Sequence, residues 1–374
     1  MCGIAGIIKL DGTNAESSLI QVMARNLAHR GPDDEGYLFV NTQLRKSITA
    51  GGAATPPSVF DSKYPYSPKQ HLSSIFSEKK PHDVVLAHRR LSIVDLSPAG
   101  HQPMCNKDMT IWIVHNGEIY NFLELRKELQ GYGYQFVSDT DTEVIIRAYQ
   151  RWGYNCLKKF NGMWAFCIWD ERENKLFCSR DRFGIKPFYY YFKNNVFVFA
   201  SEIKALLQLQ FIPREPNHFA VYNYLVIHSS NLSKGTFFKG IEKLGNGEYL
   251  ELDLSSRHLI VNRYWDIDLN SKAKGLFNKE YALKFYNLLE DSIRLRLISD
   301  VAIGTCLSGG IDSSSLVCII NTLLNKRSIR GFADGIQKTF SARYENKRFD
   351  EGLFINEIIK KTRVAPYYVF PTGK

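Results

Sequence analysis

The chain has 374 residues, a net charge of +10, and 44% hydrophobic and 23% charged residues. This length predicts two or three domains of ordinary globular composition, and the absence of an apolar run of about 18 residues argues against a membrane span. Because the lysines and arginines are scattered, the charge favours a basic surface or an anionic small-molecule substrate over nucleic acid as partner.

The cysteine pattern favours a reducing compartment. The seven cysteines are odd in number and form no C-x-x-C pair, so neither a disulfide framework nor a cysteine metal site is indicated. The N-terminus lacks the basic and apolar regions of a signal peptide. We therefore expect a cytoplasmic protein.

The first seven residues, MCGIAGI, hold the most distinctive feature of the chain. If Met1 is removed, Cys2 carries both a thiol and a free α-amine, with ordinary pKa values of about 8.5 and 7.7–8.0. The amine can then act as the base that activates its own sulfur. The alternative is a buried cysteine near an ordinary start.

The next 200 residues predict two antiparallel sheets with helices outside, because many strands follow one another with helices between them. Residues 30–36 are read as a surface turn or a binding loop, and residues 41–83, rich in Gly and Pro, as a long irregular excursion with a short helix at 69–76. The predicted strands span 1–10, 84–95, 110–115, 163–169, 175–180, 187–192 and 196–200. The predicted helices span 17–29, 122–129, 140–152 and 202–209.

The pattern changes after residue 210. Residues 211–270 predict a connecting segment with a helix at 217–227 and a hairpin of strands 236–244 and 247–254. A helix at 278–298 precedes an apolar strand at 301–307, which is expected to be buried on both faces of a parallel sheet. Alternating elements at 308–370 predict a doubly wound α/β unit. The predicted domains are therefore 2–210, the connecting segment, and 271–374.

A nucleophilic Cys2 acting on an amino-acid amide needs partners that bind its substrate. Arg90 ends a strand and could hold a carboxylate through two hydrogen bonds, unless it is a surface arginine. Asn116 and Gly117 end another strand, where a side-chain amide and a backbone N–H can point at one oxygen, unless they form a plain turn. Asp141 begins a helix and is either its cap or a partner for an ammonium group.

Five ordered motifs carry a resemblance. They are Cys2–Gly6, Arg30–Asp33, Arg90–Ile93, Asn116–Asn121 and Arg180–Pro187. Together they resemble the class II glutamine amidotransferase domain of glutamine-hydrolysing asparagine synthetases.

The resemblance implies an N-terminal αββα sandwich of the N-terminal-nucleophile hydrolase fold. It implies that Cys2 attacks the side-chain amide of glutamine, forms a glutamyl thioester and releases ammonia. By position, Asn116 and Gly117 form the oxyanion hole, Arg90 binds the glutamine α-carboxylate, and Glu118 and Asp141 bind its α-amine.

The motif SGGIDSS at 308–314 follows a predicted strand and opens a helix, a context suited to phosphate, although a tight turn is the alternative. It lacks the Walker pattern and resembles the PP-loop of ATP pyrophosphatase synthetases. That resemblance implies ATP and Mg²⁺ as cofactors, with Asp312 as the magnesium ligand. The residues that it assigns to ATP are Cys306, Ser308, Gly309, Gly310, Asp312, Ser313, Ser314 and Ala342.

The pairing of the two motifs implies glutamine-dependent amidation of a carboxylate, with aspartate as the leading acceptor. A surface-polysaccharide sugar acid is the alternative acceptor, and a homodimer is among the assemblies left open. Asparagine synthetases continue well past the position of Lys374, so the sequence predicts a truncated gene, a split reading frame or a fragment. A chain restricted to glutaminase activity, or a non-catalytic remnant, is therefore a further alternative.

Overall fold

The structure is a computed structural model that describes residues 1–77, 81–229, 234–269, 278–326 and 336–372. The chain divides into two compact units, Met1–Asp268 and Leu269–Lys374. Among the described residues, no helix combines the length and the apolar character needed to cross a membrane.

The strands are numbered in chain order. They are β1 Gly3–Lys9, β2 Asp34–Asn41, β3 Lys46–Gly51, β4 Gln70–His71, β5 Val84–Arg90, β6 Met104–Cys105, β7 Ile111–Ile119, β8 Gly162–Asp170, β9 Lys175–Arg180, β10 Tyr189–Lys193, β11 Val196–Ala200, β12 Ile241–Lys243, β13 Glu248–Asp253, β14 His258–Arg263, β15 Gly304–Cys306, β16 Gln337–Ala342 and β17 Val364–Val369.

The α-helices are numbered in the same way. They are α1 Ser17–Asn26, α2 Pro57–Phe60, α3 Leu72–Ser77, α4 Phe122–Gly131, α5 Asp141–Trp152, α6 Cys156–Lys159, α7 Ile203–Leu206, α8 His218–Ile227, α9 Lys279–Arg296, α10 Ile311–Asn325 and α11 Gly352–Lys361.

The first unit is a sandwich of two sheets. One sheet has the strand order β12-β10-β11-β1-β5-β2-β3-β4, and the other has the order β14-β13-β9-β8-β7-β6. Helix α1 packs on the first sheet through Ile20 and Met23, and α5 packs on β7 of the second. The predicted pair of antiparallel sheets with helices outside is confirmed.

The first strand lies in the middle of its sheet. β1 pairs antiparallel with β11 on one side and with β5 on the other, with Gly3 opposite Arg89. Gly6 leaves room for the ring of Phe199, which lies 2.2 Å from the position that a Cβ at Gly6 would take. The N-terminus is therefore fixed between two neighbours rather than at an edge.

The region 41–83 is more regular than the sequence predicts. It contains β3, α2, β4 and α3, and β3 pairs with β2 along six residues. Its prolines do not interrupt β3, because Pro56 and Pro57 start α2 instead. The predicted short helix at 69–76 corresponds to α3, but the expectation of a long irregular excursion was wrong.

The predicted hairpin at 236–254 is also wrong. β12 pairs with β10 in the first sheet, whereas β13 pairs with β9 and β14 in the second. Gly247 lies at φ +64° between them and its N–H donates to the carbonyl of Asp181. The turn thus carries the chain from one sheet to the other, and the true hairpin is β13–β14.

The second unit contains a parallel sheet of order β15-β16-β17, with α10 and α11 as the connecting helices. The strand–helix alternation is as predicted, but the continuous buried strand at 301–307 is not. β15 has three residues and Cys306 is exposed, whereas Leu307 packs against Val317 and Ile355. On the exposed face, the ring of Phe340 covers Gly304.

Candidate active site

A cavity of about 220 Å³ opens in the first unit where β1, β5 and β7 meet the start of α5. All six residues that the sequence assigns to the front site line it. They are Cys2, Arg90, Asn116, Gly117, Glu118 and Asp141. Residues up to 139 positions apart in the chain are therefore brought to one place.

Cys2 is held from two sides. The Nε of Arg30 donates to the Cys2 carbonyl at 2.9 Å, and Arg30 itself pairs with Glu202 at 2.9 Å. The N–H of Leu91 lies 3.4 Å from the Cys2 Sγ. The loop around Arg30 therefore positions Cys2 and does not itself line the cavity.

Burial raises the pKa of the Cys2 thiol. Desolvation disfavours the thiolate, so a nearby base is needed to generate it at neutral pH. Burial also lowers the pKa of the terminal amine at Met1, so that at neutral pH a larger fraction of an amine at this end of the chain is unprotonated and able to accept a proton.

Arg90 lies at the end of β5 and is 6% exposed. Its Nη1 donates to the Ser97 carbonyl at 3.2 Å, and its Nη2 donates to the carbonyls of Val94 and Asp95. Gly100 makes room for the guanidinium, because a Cβ there would lie 1.7 Å from Nη2. These contacts fix Arg90 in the cavity wall and leave two of its five N–H donors.

Asn116 and Gly117 supply the polar end of β7. The Asn116 side chain is 1% exposed, and within the described ranges neither its Oδ1 nor its Nδ2 has a hydrogen-bond partner. A Cβ at Gly117 would lie 2.3 Å from the Met163 carbonyl, so only glycine fits. An unpaired amide beside a glycine N–H suits an oxyanion hole.

Asp141 is the first residue of α5 but does not cap it. The cap is Thr140, whose side-chain oxygen accepts from the Glu143 N–H at 3.2 Å. Oδ2 of Asp141 instead accepts from the Ile119 N–H at 2.8 Å, and burial raises the pKa of Asp141 to about 6. The alternative that Asp141 serves as the helix cap is therefore excluded.

The RDRFGIKP motif places a cation in the cavity. Its loop is wound around the buried Asp181, whose carboxylate accepts from the backbone N–H groups of Phe183, Ile185, Lys186 and Trp164. Lys186 lines the cavity, and burial lowers its pKa. The motif alone does not indicate that Lys186 lines the cavity.

His115, next to Asn116, also lines the cavity and was not singled out from the sequence. Its ring is buried, and Nδ1 lies 3.0 Å from the Thr142 hydroxyl. The alternating pattern of a strand does not indicate that a histidine lines a cavity, since a buried histidine is a common core residue.

The SGGIDSS motif forms the turn between β15 and α10. Gly309 adopts φ +85°, and a Cβ there would lie 2.8 Å from the Cβ of Phe354. The hydroxyls of Ser308 and Ser313 lie 3.0 Å apart, and the buried Ser314 Oγ has no partner within the described residues. An open helix N-terminus, a left-handed glycine and an unpaired hydroxyl fit phosphate oxygens.

The remaining predicted ATP residues lie at the same edge. Cys306 ends β15, Ala342 ends the parallel neighbour β16, and Gly310 immediately precedes α10. Asp312 is exposed in the first turn of α10. The described residues contain no cluster of three metal-binding side chains, so a Mg²⁺ held at Asp312 would need phosphate or water ligands.

Comparisons with known proteins match one family model to the part of the chain that contains most of the cavity-lining residues and another to the part that contains the SGGIDSS turn. Residues 72–265 match the family model of a glutamine amidotransferase domain, which covers more than half of the chain and defines its class. Residues 284–372 match the model of asparagine synthase. The chain therefore belongs to the glutamine amidotransferase domain family, and its second unit is similar to asparagine synthase.

Three relatives illustrate the match. A protein of Methanocaldococcus jannaschii is 34% identical over 98% of this chain and 65% of its own length. The glutamine-hydrolysing asparagine synthetases 3 and 1 of Bacillus subtilis are 38% and 31% identical, over 64% and 98% of this chain and 38% and 49% of their own lengths. The chain thus spans less than two thirds of the length of these relatives.

Replacing Asp181 with alanine should destabilise the first unit by on the order of 3 kcal/mol, because four backbone N–H groups lose their acceptor. The measurement is urea unfolding followed by tryptophan fluorescence, since all five tryptophans precede residue 268. The control is Asp266→Ala, which removes an exposed ion pair with Arg263. Equal losses in the two variants would contradict the structural role of Asp181.

Proposed function

We propose that this chain hydrolyses glutamine at Cys2 and supplies the ammonia to a carboxylate activated by ATP. The observation that carries the proposal is the convergence of Cys2, Arg90, Asn116 and Asp141 on one cavity. A thiol, an anion-binding guanidinium, an unpaired amide and a carboxylate match the four polar parts of glutamine in its reacting state.

The reaction begins at the sulfur. Removal of Met1 leaves the α-amine on Cys2, and this amine takes the thiol proton. The thiolate attacks the side-chain amide carbon, and the resulting oxyanion accepts hydrogen bonds from the Asn116 Nδ2 and the Gly117 N–H. The α-ammonium returns the proton to the departing nitrogen, so ammonia leaves and a glutamyl thioester remains. Water then hydrolyses the thioester to glutamate and restores the thiol.

The rest of the cavity recognises the free amino acid. The free N–H groups of Arg90 bind the α-carboxylate, and the carboxylates of Asp141 and Glu118 bind the α-ammonium. Lys186 adds a positive charge near Cys2, which favours the thiolate.

The second unit activates the acceptor. The turn at 308–314 holds the pyrophosphate part of ATP through backbone N–H groups and the hydroxyls of Ser308, Ser313 and Ser314. Asp312 would hold Mg²⁺, which would neutralise charge on the phosphates. The acceptor carboxylate, for which aspartate is the leading candidate, attacks the α-phosphate and expels pyrophosphate, and ammonia then displaces AMP from the acyl-adenylate with loss of a proton.

Cys2→Ala should reduce glutamate release from glutamine to background, and Asn116→Ala should lower kcat on the order of 10²–10³-fold. Mass spectrometry of the active protein should show Cys2 as the first residue. The control is Cys318→Ala, a thiol outside the cavity, which should keep full activity. A protein that retains Met1 and still hydrolyses glutamine would exclude this mechanism.

Glutamine binding should weaken as the pH falls through about 6, because Asp141 must be ionised to hold the ammonium. In the Cys2→Ala variant, titration calorimetry should give a constant Kd above pH 7 and a rise towards about tenfold per pH unit below pH 6. Asp141→Asn should bind weakly with little pH dependence. A Kd that is equal at pH 5 and pH 7.5 would refute the role of Asp141.

Mg-ATP should raise the unfolding temperature of the second unit by mass action. Calorimetry is the suitable method, since the tryptophans report only on the first unit. Gly309→Ala, which strains a residue at φ +85°, should abolish the shift, whereas Ser315→Ala, one helical position beyond the turn, should preserve it. No shift for the unaltered chain at millimolar Mg-ATP would contradict nucleotide binding here.

A further inference from the structure

His115 presents an unsatisfied nitrogen to the glutamine cavity. The side chain is 2% exposed and lines the cavity, and Nε2 has no hydrogen-bond partner among the residues that the structure describes. A buried polar atom without a partner destabilises the folded protein, so such an atom in a cavity wall points to a ligand.

The imidazole is held in one orientation by a short network. Nδ1 of His115 lies 3.0 Å from the Thr142 Oγ1, and the Gln102 Nε2 lies 3.3 Å from the same oxygen. The backbone N–H of His115 donates to the Gln102 Oε1 at 2.7 Å. The ring therefore has little freedom to turn Nε2 away from the cavity.

The same network determines which ring nitrogen carries the proton. Since the backbone N–H of His115 can only donate, Gln102 must direct its oxygen there and its NH₂ group at Thr142. Thr142 thus accepts from Gln102, and the described residues offer its hydroxyl proton no acceptor other than Nδ1 of His115. When Thr142 donates this proton to Nδ1, the proton of the ring is on Nε2, and Nε2 is then a donor.

The charge state supports this assignment. Burial lowers the pKa of His115 to about 3, and the positive charge of Lys186 contributes in the same direction. The ring is therefore neutral at ordinary pH, and it offers a hydrogen bond without adding a third cation to Arg90 and Lys186.

The position of Nε2 indicates which atom of glutamine would accept its hydrogen bond. It lies 2.7 Å from the point that a Cβ on Gly117 would occupy, which places it beside the proposed oxyanion hole. The α-carboxylate and the α-ammonium already have Arg90 and Asp141 as proposed partners. The side-chain carbonyl oxygen of glutamine is then the acceptor that remains for this donor.

We propose that the Nε2–H of His115 is a third donor to the side-chain carbonyl oxygen of glutamine, next to Asn116 and Gly117. This inference rests on the proposed glutaminase function and adds a catalytic residue to it. The bond is available to the bound amide and strengthens as negative charge develops on the oxygen, so it contributes mainly to kcat.

The direct test is nitrogen NMR on the Cys2→Ala chain labelled with ¹⁵N-histidine. The free protein should show His115 protonated at Nε2, assigned by the signal that disappears in His115→Gln. Glutamine should move the Nε2–H proton downfield, whereas norvaline, which lacks the side-chain amide, should not. Equal shifts with both ligands, or a proton on Nδ1, would overturn the proposal.

Kinetics provides the second test. His115→Phe keeps the ring volume without a donor and should lower kcat on the order of 10²-fold with a smaller change in KM. His115→Gln should recover part of the loss, and His258→Phe, at the exposed start of β14, should have no effect. A kcat for His115→Phe within twofold of the unaltered chain would overturn the proposal.

The experiments distinguish a failure of the proposed glutaminase function from a failure of the role proposed for His115. If the unaltered chain neither hydrolyses glutamine nor binds it as the Cys2→Ala variant, the proposed function and this inference both fall. If glutamine is hydrolysed and only the His115 results disagree, the inference falls and the proposed function stands. Urea unfolding of His115→Phe separates a loss of donor from a loss of fold.

Discussion

The architecture of the first unit depends on one constraint, the fixing of the chain terminus within a sheet. Chain ends usually fray, which would leave a terminal nucleophile without a defined position. Here β1 is paired on both sides, and Arg30 holds the carbonyl of Cys2 while Glu202 holds Arg30. The sulfur consequently has a fixed place beside Leu91, and the cavity can be built around it.

Charged groups near the sulfur are fixed chiefly by backbone atoms. Arg90 is held by carbonyls of the loop that follows β5, and the loop that presents Lys186 is held by backbone N–H groups around Asp181. Glu118 and Asp141 line the same cavity, and their carboxylates interact electrostatically with Lys186 and Arg90, respectively. A cavity with two cations and two carboxylates suits a zwitterionic amino acid together with a thiolate and an oxyanion.

Residues that lie in local sequence motifs could be predicted from the sequence. Strand pairings and side-chain contacts between distant segments could not. The two sheets and the front site followed from strand order and five motifs. The pairing of β12 with β10, however, depends on contacts between distant segments, and no turn pattern at 245–247 reports it. His115 was missed for the same reason, since its orientation is set by Gln102 and Thr142 from other elements.

The contrast between satisfied and unsatisfied buried polar groups separates scaffold from site. The carboxylate of Asp181 is saturated by four N–H groups, so it has nothing left to offer a ligand. Asn116 and His115 carry unpaired polar atoms. Trp169 also has an unpaired buried nitrogen but does not line the cavity, so a missing partner alone is not evidence of a site. Asn116 and His115 both line the cavity that contains Cys2, so hydrogen bonds to a bound ligand can offset the cost of leaving their polar atoms unpaired in the free protein.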